Sequence, residues 1–145
     1  MTNEEGLFLQ PTYFPLVEYG KQRGNLALDV FVESPQYQVG SRETLGYLDV
    51  SATYALQEGQ VFVNVLNRSE TKDITAGIQV QAGEPGARAQ VWEMNHPDLK
   101  ATHTFGDDDS VRPVTRQVPL NLENGSFSYA FPAHSLTILS FPLRR

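Results

Sequence analysis

The stretch YLDVSATYALQEGQVFVNVLNRS, residues 47–69, limits the fold of this chain more than any other. Its first half alternates, with Leu48, Val50, Ala52 and Tyr54 on one side and Tyr47, Asp49, Ser51 and Thr53 on the other. Successive strand side chains point to opposite faces, so a period of two predicts a strand with one buried face. Residues 61–66 are apolar on both parities except at Asn64, which suits a strand covered on both sides. Between the halves, Gln57-Glu58-Gly59-Gln60 is a polar turn with a glycine, and an antiparallel hairpin is expected. The stretch specifies a β-sandwich and carries no chemistry.

The rest of the chain agrees with it. Alternation or β-rich composition predicts further strands at residues 26–33, 74–80, 87–94, 114–122, 125–131 and 135–143. Ser34-Pro35-Gln36-Tyr37 breaks the first of these, and a polar loop is expected through residues 40–46. Residues 95–113 form a long irregular segment of the kind that is functional or pinned by specific contacts. One helix is expected. Tyr13, Phe14, Leu16, Val17 and Tyr19 recur at helical spacing, with Pro15 in the first turn and Gly20 or Gly24 at the end. So much aromatic surface on a short helix calls for a large partner to cover it. The fold class is therefore all-β: an antiparallel sandwich of about eight or more short strands, jelly-roll-like or immunoglobulin-like, with a short N-terminal helix or extended segment.

At 145 residues the chain can bury one substantial core. Hydrophobic residues at 40% against charged residues at 19% argue against a disordered chain. A net charge of −6 argues against nucleic acid as a partner, because phosphate binding draws on Lys and Arg. With no cysteine, disulfides, thiolate metal sites and a catalytic thiol are excluded. No apolar run approaches the roughly 20 residues of a membrane span, so no membrane partner is expected. The opening MTNEEGLFLQ lacks a basic region followed by an apolar core, which favours a cytoplasmic over a secreted chain.

Chemistry is sparse. His96, His103 and His134 lack the spacing of a metal site and are expected to pin loops by hydrogen bonding. Asp107-Asp108-Asp109 lacks the spaced carboxylates and distal Glu of a calcium loop and reads as a solvated turn. Glycoside hydrolysis needs two carboxylates facing across a cleft. Glu18, Glu33, Asp49, Glu58 and Glu93 have the right type, but each reads as part of a polar strand or turn surface. Trp92, Tyr37 and Tyr47 could form a sugar-stacking platform or belong to a core or interdomain surface. Asn67-Arg68-Ser69 and Asn124-Gly125-Ser126 match the glycosylation sequon.

Taken in order, several segments resemble the C-terminal domain of the glycoside hydrolase family 51 α-L-arabinofuranosidases. They are PTYFPLVEYGKQRG at residues 11–24, SPQY at 34–37, the 47–69 stretch, HPDLKATHTFGDDDSVRP at 96–113 and AHSLTILSF at 133–141. The resemblance runs over residues 5–141. His103, where relatives more often carry asparagine, and the acidic triplet depart from the pattern. The resemblance implies that residues 1–24 are the exit from a (β/α)8 catalytic barrel and residues 25–145 the sandwich. In that family both catalytic glutamates lie on the barrel, and Asn3-Glu4 is wrongly placed to match them. No catalytic, cofactor-binding or metal-binding residue and no cofactor is therefore expected in this chain. The implied role is a non-catalytic domain that packs on and stabilises the barrel, with homo-oligomer contacts at its border. The parent would hydrolyse terminal non-reducing α-L-arabinofuranosyl residues. The alternative is a stand-alone carbohydrate-binding module for arabinose-containing plant polysaccharides.

Overall fold

The computed structural model describes residues 1–4 and 6–144. Glu5, where the resemblance begins, and Arg145, the expected end of the sandwich, lie outside the described residues. In chain order the elements are β1 (Thr2–Asn3), β2 (Gly6–Leu7), α1 (Tyr13–Lys21), β3 (Leu26–Leu28), β4 (Gln36–Val39), β5 (Glu43–Gly46), β6 (Leu48–Ala55) and β7 (Gln60–Asn67). They continue with β8 (Ile74–Gln79), β9 (Glu84–Pro85), β10 (Arg88–Met94), β11 (Val114–Pro119), β12 (Ser126–Phe131) and β13 (Leu136–Arg144).

The expected hairpin is the centre of the molecule. β6 and β7 pair antiparallel from Leu48↔Asn67 to Ala55↔Gln60, and Gly59 supplies the positive φ of 63° that their turn requires. They sit inside an antiparallel sheet ordered β11-β10-β13-β7-β6-β3, with β9 paired to the end of β13. β8 and β12 form a second, two-stranded layer. The chain changes layer between β7 and β8 and returns by β10. It crosses again between β11 and β12 and returns by β13.

The core lies between the layers. Val61, Val63, Val65, Val91, Leu139 and Phe141 of the large sheet meet Phe127 and Phe131 of β12, with Ile74, Ala76 and Ile78 of β8 packed alongside. Phe127 and Phe141 meet edge-on at 5.4 Å. Burial of this apolar surface is the main force holding the layers together.

Three expectations need correction. The strand foreseen at 26–33 ends at Leu28, after three pairs with β6. Residues 28–33 instead run along the rim of an open cleft of about 1080 Å³, opposite Ala76, Ile78 and Val80 and above Val50 and Ala52. A strand needs a hydrogen-bonding neighbour as well as an apolar face. Among the described residues, β8 pairs only with β12, and nothing pairs with residues 29–33. The polar loop expected at 40–46 is half of a hairpin, β4–β5, which turns at Gly40 with φ 63°. The helix continues through Gly20 to Lys21, is closed at Gln22, and the chain reverses at Gly24 with φ 90°.

Candidate functional site

α1 has two faces, and they are the reverse of the usual arrangement. Tyr13, Leu16, Val17 and Gly20 share one face at spacings of three and four residues, and all four are exposed. Leu16 has 69% of its surface in solvent. Phe14, Pro15 and Glu18 are half-buried on the opposite side, followed by buried Gln22 just past the helix. An amphipathic helix normally turns its apolar stripe to the core. Here no residue within α1 is fully buried and the apolar stripe faces out.

Gln22 reaches the outer face of the large sheet. Its Nε2 donates to Asn64 Oδ1 at 2.7 Å, and its Oε1 accepts from Asn64 Nδ2 at 3.1 Å and from Thr53 Oγ1 at 3.0 Å. Asn64 Nδ2 also donates to Ser51 Oγ at 3.2 Å, and Asn25 Nδ2 donates to Thr53 Oγ1 at 3.2 Å. Residue-by-residue reading missed this network, although the lone polar residue in the apolar run 61–66 was its visible trace.

The histidines do pin loops. Buried His103 has Nδ1 2.6 Å from Leu9 O, and its Nε2 accepts from the Val111 N–H at 3.1 Å. It thereby ties the segment before α1 to the long loop. His96 Nδ1 accepts from the Asp98 N–H, and the ring nitrogens of His134 lie against Glu70 O and His96 O. Among the described residues no three His, Asp or Glu side chains gather as a metal site. The acidic triplet is an exposed turn, with Asp109 paired to Arg112 and Thr104 bridged to Asp107.

The candidate carboxylates are dispersed. Glu18 pairs with Lys21 on α1, and Asp49 pairs with Arg68 across the hairpin. Glu58 lies in the β6–β7 turn, and Glu33 lines the rim of the cleft. Glu93, near the end of β10, turns to the inner side of the large sheet opposite the start of β11. There Arg116 clamps it with Nη1 at 3.3 Å and Nη2 at 3.0 Å, and the Tyr129 hydroxyl from the other layer donates to it at 3.3 Å. Arg116 Nη2 also donates to the Tyr129 oxygen at 2.7 Å. Burial first, and then the Glu93 charge, push the Tyr129 phenol above its ordinary pKa. The Glu93 hydrogen bond raises that of Arg116. This trio fastens one layer to the other. The cleft is walled mostly by apolar side chains, and its carboxylates, Asp29 and Glu33, both belong to one short segment.

The aromatic candidates do not form a platform. Trp92 is buried, and Tyr37 and Tyr47 stack on each other at 4.8 Å. Of the two sequons, Asn67 is buried at the end of β7, whereas Asn124 sits exposed at a tight turn with φ 51°. No helix among the described residues is long and apolar enough to cross a membrane.

The chain is similar to known proteins in both sequence and fold. The chain is 31% identical to the protein named "Probable alpha-L-arabinofuranosidase C" of Aspergillus clavatus, over 96% of its own length and 27% of that protein. It is 30% identical to the protein of the same name in Aspergillus niger, over 99% of its length and 28% of the relative. The chain thus spans little more than a quarter of the curated relatives it matches. The fold superposes on the crystal structure of an α-L-arabinofuranosidase from Thermotoga maritima with a TM-score of 0.81 and 19% identity, over 96% of this chain and 30% of that one. The family 51 arabinofuranosidase of Xanthomonas axonopodis pv. citri gives 0.80 and 24%, over 92% and 26%. The likeness is confined to the C-terminal domain, so the catalytic barrel of the larger enzymes is absent from this chain. The family model described as the α-L-arabinofuranosidase C-terminal domain matches residues 1–135, and the chain belongs to that family.

Proposed function

We propose that this chain is the supporting sandwich of an α-L-arabinofuranosidase. Residues 1–24 lead in from the catalytic barrel, and residues 25–145 pack on it. The observation that carries this reading is the reversed face of α1, which presents Tyr13, Leu16 and Val17 outward. An apolar stripe held in solvent at a cost of roughly 25 cal/mol per Å² marks a surface covered in the working protein. The occupant is the barrel, because the relatives named as arabinofuranosidases hold about three times as much chain outside this region as within it. The parent's substrates are terminal α-L-arabinofuranosyl groups, and its reacting carboxylates lie on the barrel. No catalytic, cofactor-binding or metal-binding residue is assigned here.

The test has two arms. The isolated chain, assayed on an aryl α-L-arabinofuranoside, is expected to show no turnover, and turnover that tracks the purified chain would refute the supporting role. Hydrogen exchange of the α1 amides is expected to slow when the chain is joined to its barrel. Unchanged exchange would refute docking through α1.

A further inference from the structure

We propose that the Gln22–Asn64 pair is a rotational lock on α1, a positioning device that decides which face of the helix the domain presents. A nine-residue helix is two and a half turns long and marginal by itself. Its first turn has no side-chain cap, and no residue inside it is fully buried. Its most apolar face points away from the sandwich, so burial of that face cannot set its orientation. Phe14 meets His103 edge-on at 6.1 Å and Tyr19 lies near Asp49, but the hydrogen-bonded link to the sheet is a polar hook. Gln22 keeps 8% of its surface exposed and Asn64 3%, and their amides exchange two hydrogen bonds.

The geometry admits few alternatives. Thr53, Ser51 and Asn25 supply the remaining partners, so every side-chain polar atom of Gln22 and Asn64 buried from water has one. Turning the helix by one residue, about 100°, would bring Lys21 or Arg23 over Asn64 and leave the asparagine amide buried and unpaired. Apolar contacts tolerate such slippage and an amide pair does not. A buried polar residue at an otherwise apolar position is the device that fixes register in helical assemblies, at a cost in stability. At the other end, Leu9 O is held by His103, so the segment is tied before α1 as well as after it. Between the two ties lie Tyr13, Leu16, Val17 and Gly20. A Cβ added at Gly20 would meet nothing within 4 Å, which leaves room there for close approach from outside.

The purpose of the lock rests on the docking reading above, but its existence does not. Amide hydrogen exchange of this chain alone tests it in Gln22→Ala, Asn64→Ala and the double variant. Each single change is expected to speed exchange of the α1 amides about tenfold while the β7 and β13 amides hold their rates. The double variant should show the same tenfold, not a hundredfold, because the two amides form one unit. Unchanged α1 exchange in either single variant would overturn the lock. So would a rise of the same factor in α1 and the sheet, since that would make the pair ordinary packing. A lock that holds in this chain while the barrel leaves α1 unprotected would sink the docking reading alone.

Discussion

Asn67 closes β7 with 1% of its surface exposed and makes a corner from a side chain. Its Nδ2 lies within hydrogen-bonding distance of the carbonyls of Lys72, Phe131 and Pro132 at 2.9–3.0 Å. Its Oδ1 accepts from the Ser69 N–H at 2.9 Å. Alanine here would leave those groups unpaired in a corner with little water. Asn67→Ala is expected to cost about 2–4 kcal/mol, read as a lower urea midpoint at unchanged slope. A loss below about 1 kcal/mol would mean that water replaces the amide. Tyr129 gives a prediction with a pH sign. Its folded-state pKa lies above the ordinary 10.0, so its contribution to stability is complete below pH 10 and is lost as pH rises through the raised value. Urea midpoints measured across that range should fall less steeply in Tyr129→Phe than in the unaltered chain. Tyr19 is likewise raised, by burial and by Asp49, so Tyr19→Phe should change the pH dependence in the same direction.

Two turn glycines separate backbone strain from steric strain. Gly59, between β6 and β7, has φ 63°, and an added Cβ would meet nothing closer than Leu143 O at 3.9 Å. Gly59→Ala should therefore cost only the left-handed penalty, about 1–2 kcal/mol. Gly83, ahead of β9, has φ 86°, and its Cβ would come within 2.7 Å of Arg144 O. Gly83→Ala must also push β9 from the end of β13. It should show faster amide exchange at Arg144, opposite Glu84, whereas the effect of Gly59→Ala on β13 is confined to Leu143, whose N–H donates to the Gly59 carbonyl at 2.8 Å. The central hairpin was legible because both its periodicity and its glycine turn are local. The strand expected at 26–33 misled because alternation records a preferred face, and its pairing partner is set by distant chain. β4–β5 was hidden by the polar residues around Gly40. The helix was legible at 13–19, although its aromatic residues do not share one side, Tyr13 lying on the exposed stripe and Phe14 half-buried opposite it. That Gln22 would grip Asn64, 42 positions away, was not, since no local pattern encodes a long-range amide pair. The loop-pinning hydrogen bonds of the histidines were anticipated, but their partners, such as Leu9 for His103, were not.

At the scale of the molecule, the large sheet is covered on both faces, by β8 and β12 inside and, at Asn64, by the chain leaving α1 outside. Among the described residues, two of the open apolar surfaces are the outward stripe of α1 and the cleft between residues 28–33 and β8. They differ in what would close them. The cleft could narrow by movement of its own rim, whereas the stripe is fixed outward and can be covered only by another body. A chain separated from its barrel should therefore cover the stripe with a second copy of itself at high concentration. Sedimentation equilibrium should show the mean mass rising with concentration, and Leu16→Lys with Val17→Lys should suppress that rise. The thermal midpoint should stay within about 2 °C, because surface changes away from packed groups rarely exceed 0.5 kcal/mol. If the lysine variant associates as before, another apolar surface, such as the cleft rim with its exposed Phe31, is the sticky one. The reversed helix would then lose its standing as the place where the rest of the enzyme sits.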